Sequence, residues 1–408
     1  MRASDAPGGG RTAAPRSLAT SAVLTLLVSF GPLSTDLYLP ALPTIAGVFG
    51  ATTGAAQLTL SVFMLGFAVG MLAYGPLSDR FGRRPLILGG IGLFIIASIG
   101  CALANSLEML IAMRFLQAIG ACCGPVLGRA TVRDIYAPEE AARVLAYMAL
   151  AMGVAPAVGP IVGGVLTEWL GWRSTFVTLT LFGAVVGAAV LLVLGETNTH
   201  KDPTATRLGR LAGNYRRLAR HRVYLGYVIV QGCGYAGIFA FISASSFILI
   251  DGVGLTPLVF GLSFTTVVLG FMLGTLISGR TVGRLGLDRL IQIGTSVSLV
   301  MAVLALALAL IWPPSTPAVV GPMAVFMVGI GLTLPNSTAG ALGPFPEIAG
   351  TASALMGFVQ MALSALVGVL VGHFTNGSGV ALGVALVAMA GSTAAAHGLL
   401  VRRKPGQA

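Results

Sequence analysis

Residues 75–86 read GPLSDRFGRRPL, and 204 positions later residues 279–290 read GRTVGRLGLDRL. At that shift Gly75 meets Gly279, Arg80 meets Arg284, Gly82 meets Gly286 and Leu86 meets Leu290. The identities carry weight because of where they fall. Each stretch ends one long apolar run and begins another, so the chain repeats the same turn between two helices in corresponding places. A repeat of this kind divides a membrane protein into two related bundles, with a site between them near the midplane.

Composition places the chain in a bilayer. Of 408 residues, 56% are hydrophobic and 9% charged, with a mean hydropathy of +0.91. A water-soluble protein carries about 25% charged residues, so here too few charges remain to cover a soluble surface. The 56 glycines fit the same reading, because small residues let membrane helices approach closely.

A spanning helix needs about 20 mainly apolar residues. Twelve candidates lie at 18–41, 54–75, 86–105, 108–129, 142–166, 173–194, 223–250, 257–279, 289–311, 319–341, 350–372 and 379–400. They predict an all-α polytopic membrane protein of twelve transmembrane helices in two pseudo-symmetric six-helix bundles. The expected organisation is a cytoplasmic tail over 1–17, a first bundle over 18–194, a cytoplasmic central loop over 195–222, a second bundle over 223–400 and a cytoplasmic tail over 401–408. The central loop, GETNTHKDPTATRLGRLAGNYRRLARHR, is the one long polar stretch and divides the spans six and six. The first apolar run is too long for a secretory signal core, so it is expected to be retained as a helix.

Positive residues near span ends stay in the cytoplasm. With both termini inside, 22 of the 24 Lys and Arg fall in cytoplasmic tails and loops. The exceptions are Arg173, in an outside loop, and Arg114, within a span. Topology thus accounts for the net charge of +11 and removes nucleic-acid binding, the usual partner of a basic chain. The four cysteines, Cys101, Cys122, Cys123 and Cys233, lie in apolar segments without metal-ligand spacing, and read as small buried hydrophobes. No histidine pairs with acids or cysteines at metal-ligand spacing, so neither a metal site nor a membrane-embedded enzyme is expected.

One carboxylate stands out. Asp36 sits in LLVSFGPLSTDLYLPALP, residues 26–43, with no basic residue near it along the chain. An ionised Asp at a bilayer centre costs roughly 2.5–3.5 kcal/mol on insertion scales. Arg114 is its expected partner: Asp36 lies seven residues before Pro43, and Arg114 seven after Leu107, so both sit about 10 Å inside the outer boundary. Intramembrane ionisable residues face a cavity or one another. Burial and a facing guanidinium act on a carboxyl in opposite senses, so moving the Arg or admitting water lets Asp36 release or capture a proton. The other reading of the pair is a permanent ion pair that fixes helix register.

With GPLSDRFGRRP at the turn between second and third spans, the chain resembles the major facilitator superfamily over nearly its whole length. The matching residues are Gly75, Asp79, Arg80, Gly82, Arg83 and Arg84. MRFLQAIGA, with Arg114 and Gln117, resembles the fourth-helix motif of proton-coupled drug exporters. GVAPAVGPIVGG, with Gly153, Pro156, Gly159, Pro160, Gly163 and Gly164, resembles their fifth-helix antiporter motif. DLYLPALP from Asp36, ATVRDIY at 130–136 and AGTASALMGF at 349–358 narrow the resemblance to the bicyclomycin-resistance branch. One departure is Glu347, near which several members carry a basic residue, so no role is carried over to it.

The resemblance implies a proton-coupled antiporter that exports small amphipathic drugs, of the bicyclomycin and chloramphenicol kind, across a bacterial inner membrane by alternating access. Its energy source is the proton gradient, with no cofactor, and a monomer is the expected state. It also implies a conformational latch in which Arg83 reaches Asp134 at the inner end of the fourth helix. Asp79 is free to face the start of the eleventh, whose N-terminal dipole favours an anion. In the fifth helix the glycines and prolines leave one face nearly bare, a pliable seal between halves or ordinary small-residue packing. Tyr38, Gln57, Met64, Phe67, Gln117, Tyr147, Gln231, Tyr235, Phe239, Asn336 and Gln360 lie in spans and are the candidates for lining a substrate cavity. An uptake symporter of the same fold is the alternative.

Overall fold

The computed structural model describes residues 17–199, 201–374 and 379–401. The two expected tails fall outside these residues, except for Ser17 and Val401. Eleven of the described helices are long and apolar enough to cross a membrane, and a bent pair makes a twelfth span.

That pair forms the first span. Helix α1 (Leu18–Val28) is capped by Ser17, whose Oγ accepts from the Thr20 amide at 3.2 Å. It meets α2 (Phe30–Asp36) at 41°. Pro32 lacks the amide that would bond back to the Val28 carbonyl, and a proline in this position bends a helix. A 3-10 turn over Leu39–Ala41, begun by Pro40, then leads to α3 (Leu42–Val48). The span expected to end at 41 therefore continues as a broken helix to 48.

The next five spans are α4 (Thr53–Phe81), α5 (Arg83–Ala102), α6 (Leu107–Ile135), α7 (Pro138–Leu170) and α8 (Arg173–Val193). After a short helix, α9 (Leu208–Ala219), come α10 (Arg222–Ser246), α11 (Pro257–Leu285), α12 (Leu287–Ile311), α13 (Thr316–Leu342), α14 (Ala349–Phe374) and α15 (Val380–Ala396). The repeat seen in the sequence is geometric. Helices α4 and α11 both have 29 residues and both start and end 204 positions apart. Each ends on a glycine of positive φ, Gly82 at 108° and Gly286 at 76°, a conformation that a Cβ would strain.

Two expectations are corrected. The segment 195–222 is not a loop throughout, because α9 forms within it and buries Leu218 beside Tyr224 and Phe345. Several helices also outrun their apolar spans, since backbone hydrogen bonding continues past the hydrocarbon. Arg129, the last residue of its expected span, consequently lies well inside α6, and Arg280, expected in a loop, lies inside α11.

The halves meet along two seams. Helix α4 lies against α14 from Gly54 beside Gly372 to Met71 beside Gly357. Helix α7 lies against α11 from Gly164 beside Pro257 to Ala157, whose carbonyl accepts from Thr265 Oγ1 at 2.7 Å. The end of the molecule holding these last contacts also has the 39–41 turn against α10 and α11. Toward the opposite, arginine-rich end α7 is exposed on a second face as well, at Ala142, Ala146 and Ala149, beside the outer stripe of Tyr147, Leu150 and Val154 that continues through the seam at Val158 and Val162. The molecule is sealed at one end and open at the other.

Candidate functional site

The break in the first span sets the geometry of the centre. Ending α2 at residue 36 leaves the Ser34 carbonyl turned toward α6, and Arg114 Nη1 donates to it at 2.9 Å. The same nitrogen donates to Gln117 Oε1 at 2.6 Å, and Gln117 Nε2 donates to Ser98 Oγ at 2.8 Å. Arg114 is fully buried. Its guanidinium lies 4.3 Å from the Phe63 ring centre, 4.7 Å from that of Tyr38 and 5.9 Å from that of Phe176. Such cation–π contacts strengthen when desolvated. Its Nε and Nη2 have no hydrogen-bond partner among the described residues.

The expected Asp36–Arg114 ion pair is therefore absent from this conformation, although the two share a depth. Asp36 is 3% exposed and accepts only from the neighbouring Thr35 hydroxyl, at 3.3 Å. Its side chain turns instead to the contact between halves. A Cβ added at Gly159 of α7 would meet Asp36 Cβ, and Tyr235 of α10 lies within electrostatic range of the carboxylate. Arg114 is held through Nη1 by a carbonyl and an amide, and over its faces by three rings, away from the acid.

The bare face of α7 lies where the halves seal. A side chain at Gly163 would meet the Leu37 carbonyl, and one at Gly164 the Pro257 carbonyl. Pro160 is matched by Gly261 of α11 across the seam. Gly153 faces open space beyond the seam, so the motif divides between its closed and open parts. On the other seam the seal is polar. Gln57 and Ser61 of α4, with Ser243 and Ser246 of α10, are buried without hydrogen-bond partners among the described residues.

The other candidate contacts separate into groups. Gln231 Nε2 donates to Gln360 Oε1 at 3.1 Å, and Ser337 Oγ donates to Gln231 Oε1, so α10, α13 and α14 share one network. Tyr38 and Thr59 share a hydroxyl–hydroxyl bond of 2.8 Å beneath Arg114. Phe239 packs at Gly368 with Ser61, and Phe67 against Gly31. Met64 is buried in the core. Two do not join the centre: Tyr147 is 48% exposed on the uncovered part of α7, and Asn336 turns to Ser278 Oγ at 2.7 Å inside the second half.

At the arginine-rich end Arg83 bridges two carboxylates, Asp79 at 2.6 Å and Asp134 at 3.0 Å. All three belong to the first half. No described contact joins Asp79 to α14, as befits an end that is open. Sequence reasoning missed Glu196. Its carboxylate accepts from the Arg83 amide at 2.9 Å and the Arg84 amide at 3.3 Å, satisfying donors that the first turn of α5 leaves free. The strap that carries it continues over the turn. Asn198 Nδ2 reaches the Ser78 and Asp79 carbonyls, both at 3.1 Å, the Asp202 amide reaches the Asp79 carbonyl at 3.0 Å, and Arg80 reaches Thr206 Oγ1 at 2.7 Å. Gly82 alone makes the turn, since Gly75, expected to share in it, lies within α4, which stays helical to Phe81, and Arg84 reaches the Leu191 carbonyl at 3.1 Å. Glu347, just before α14, lies 3.9 Å from Arg217 of α9. The cysteines are free and buried, and no group of residues among those described has metal-ligand geometry.

Comparison with known proteins agrees with this architecture. A family model described as Major Facilitator Superfamily matches residues 24–369. A chloramphenicol resistance protein of Pseudomonas aeruginosa is 34% identical over 359 residues, 86% of this chain and 83% of that protein. A bicyclomycin resistance protein homolog of Haemophilus influenzae is 29% identical over 352 residues, 86% of this chain and 87% of the relative. Among solved structures the xylose transporter XylE from E. coli, 14% identical, superposes with a TM-score of 0.75 over 96% of this chain and 99% of that one.

Proposed function

The chain belongs to the major facilitator superfamily, whose members are transporters rather than enzymes, and from that premise we propose that it is a proton-driven exporter of small amphipathic drugs. The observation that carries the reading is the position of Asp36, buried in the seal between the halves with no countercharge. An ionised carboxylate sealed there is costly, so proton uptake by Asp36 and closure of this end are coupled. Opening the sealed end draws α10 away from the acid and admits water to it. The proton and the drug then use the same cavity in turn, facing opposite sides, and the inward passage of one drives the outward passage of the other.

The arginine-rich end is assigned to the cytoplasm of a bacterial inner membrane by the positive-inside rule. The drug enters there from the open side of α7. Its class is suggested by the names of the relatives, and a wide cavity with one acid suits neutral or weakly charged amphiphiles. One chain holds the whole path, so a monomer suffices.

The test uses inside-out vesicles with an imposed proton gradient, comparing the wild type with Asp36→Asn. Chloramphenicol and other antibiotics are expected to trigger proton release in the wild type alone. Export against a gradient that survives in Asp36→Asn would overturn the coupling role.

A further inference from the structure

We infer that Arg129 lines the cytoplasmic vestibule and selects against cationic substrates, so that the exported compounds are neutral or anionic amphiphiles. This inference rests on the exporter reading above, in which substrate enters at the arginine-rich end. Arg129 lies on α6, six residues before the helix ends at Ile135, or about 9 Å along the axis. It is exposed.

Three observations place it on the cavity side rather than in lipid. Apart from Glu108 in its first turn, the exposed residues of the outer part of α6 are Met109, Ala112 and Leu116, and Arg129 lies between about 100° and 160° round the helix from that stripe. Its Nη2 lies 3.8 Å from Met152 Sδ on α7, in the part of α7 beyond the Ala157 contact where the halves have separated. No carboxylate pairs with it among the described residues, and the exposed Arg133 lies one turn further along the same face. A guanidinium at this depth belongs in a water-filled cavity.

Arg280 offers an internal contrast. It too is exposed, five residues before the end of α11. It continues the exposed stripe of Leu262, Leu269, Leu273 and Leu276, however, so it faces lipid and snorkels to the interface.

The consequence is an electrostatic filter. The acids of the arginine-rich end among the described residues, Asp79, Asp134, Glu139, Glu140, Glu196, Asp202, Asp288 and Glu347, all sit at helix termini, in turns or on the strap, while Asp36 is out of reach in the seal. A substrate passing the mouth goes by Arg133 and then meets Arg129, in a cleft whose low-dielectric walls focus its field. A monovalent cation within about 10 Å is disfavoured by roughly tenfold relative to an anion of the same shape.

The test compares tetraphenylphosphonium with tetraphenylborate, a cation and an anion of nearly one shape. Binding to the full chain is measured in phosphatidylcholine nanodiscs with empty discs subtracted. The ratio of cation Kd to anion Kd is expected to fall about tenfold in Arg129→Gln, and to stay at the wild-type value in Arg129→Lys and Arg280→Gln. A ratio within about twofold of wild type in Arg129→Gln, or an equal fall in Arg280→Gln, would overturn the inference. Should Arg129→Gln not fold, the wild type decides: its preference for the anion must shrink several-fold as salt rises from about 20 mM to about 500 mM, and a flat ratio overturns it. Failure here with drug-triggered proton release intact removes the filter alone. If the wild type neither binds the ions nor releases protons, the exporter reading falls too.

Discussion

Arg114 donates to the Ser34 carbonyl at 2.9 Å and leaves the Asp36 carboxylate, two residues further on, to the seal between the halves. Acid and base are thus neighbours in depth but serve different surfaces. The guanidinium braces the bend of the first span inside its own half, whereas the carboxylate belongs to the moving seam. A change of state can bring them together or part them without unfolding either helix.

The brace predicts unequal effects at position 114. Arg114→Lys keeps the cation among Tyr38, Phe63 and Phe176 but loses the planar fork that serves Ser34 and Gln117. It should fold and keep partial transport. Arg114→Ala removes a fully buried side chain and strands its partners, at a cost of about 3 kcal/mol. Thermal denaturation in detergent, run on both variants, checks the order.

The polar seam is predicted to be tuned for opening. Gln57 is buried without a partner, which disfavours the closed seal by about 1–3 kcal/mol. Gln57→Leu should therefore raise the melting temperature of the purified protein and slow drug turnover several-fold, by holding this end shut. A variant as fast as wild type would remove this role for the amide.

At the arginine-rich turn, Arg83→Ala releases both Asp79 and Asp134. Turnover should fall while equilibrium drug binding stays within about twofold of wild type, because the pair lies far from the cavity. Unchanged turnover, measured in vesicles, would show that the arginine has only a topogenic part.

Glu196 acts as a cap supplied from a distant part of the chain. Glu196→Ala leaves the Arg83 and Arg84 amides without their acceptor and should cost about 0.5–2 kcal/mol. Glu196→Gln keeps an acceptor oxygen and should lose less. Hydrogen exchange of the first turn of α5 reads the difference directly.

Much of this was legible in the sequence, for identifiable reasons. The 204-residue repeat and the apolar runs disclosed the spans, because hydrocarbon thickness fixes their length. Asp36 and Arg114 stood out because charges are rare in such runs. Their partners were not legible: the direction of each side chain depends on a 41° bend at Ser29 and on three rings drawn from different helices. Arg129 was misplaced because a hydropathy reading stops where the hydrocarbon does, while α6 continues to Ile135. Helix α9 was hidden by its charge, although the deeply buried Leu218 ties it to the second half. Glu196 carried one weak signal, an acid directly after the end of a span.

The strap and α9 together form a leash. Thr206 is fastened to Arg80 on the first half and Leu218 is sunk beside Phe345 on the second. The ten residues of α9 between these anchors, 208–217, are helical and reach only about 15 Å. However strongly a bulky substrate pushes the halves apart at this end, the swing is limited by the length of that rod. A longer rod would admit larger cargo, and a shorter one would exclude it, with no change to any residue of the cavity.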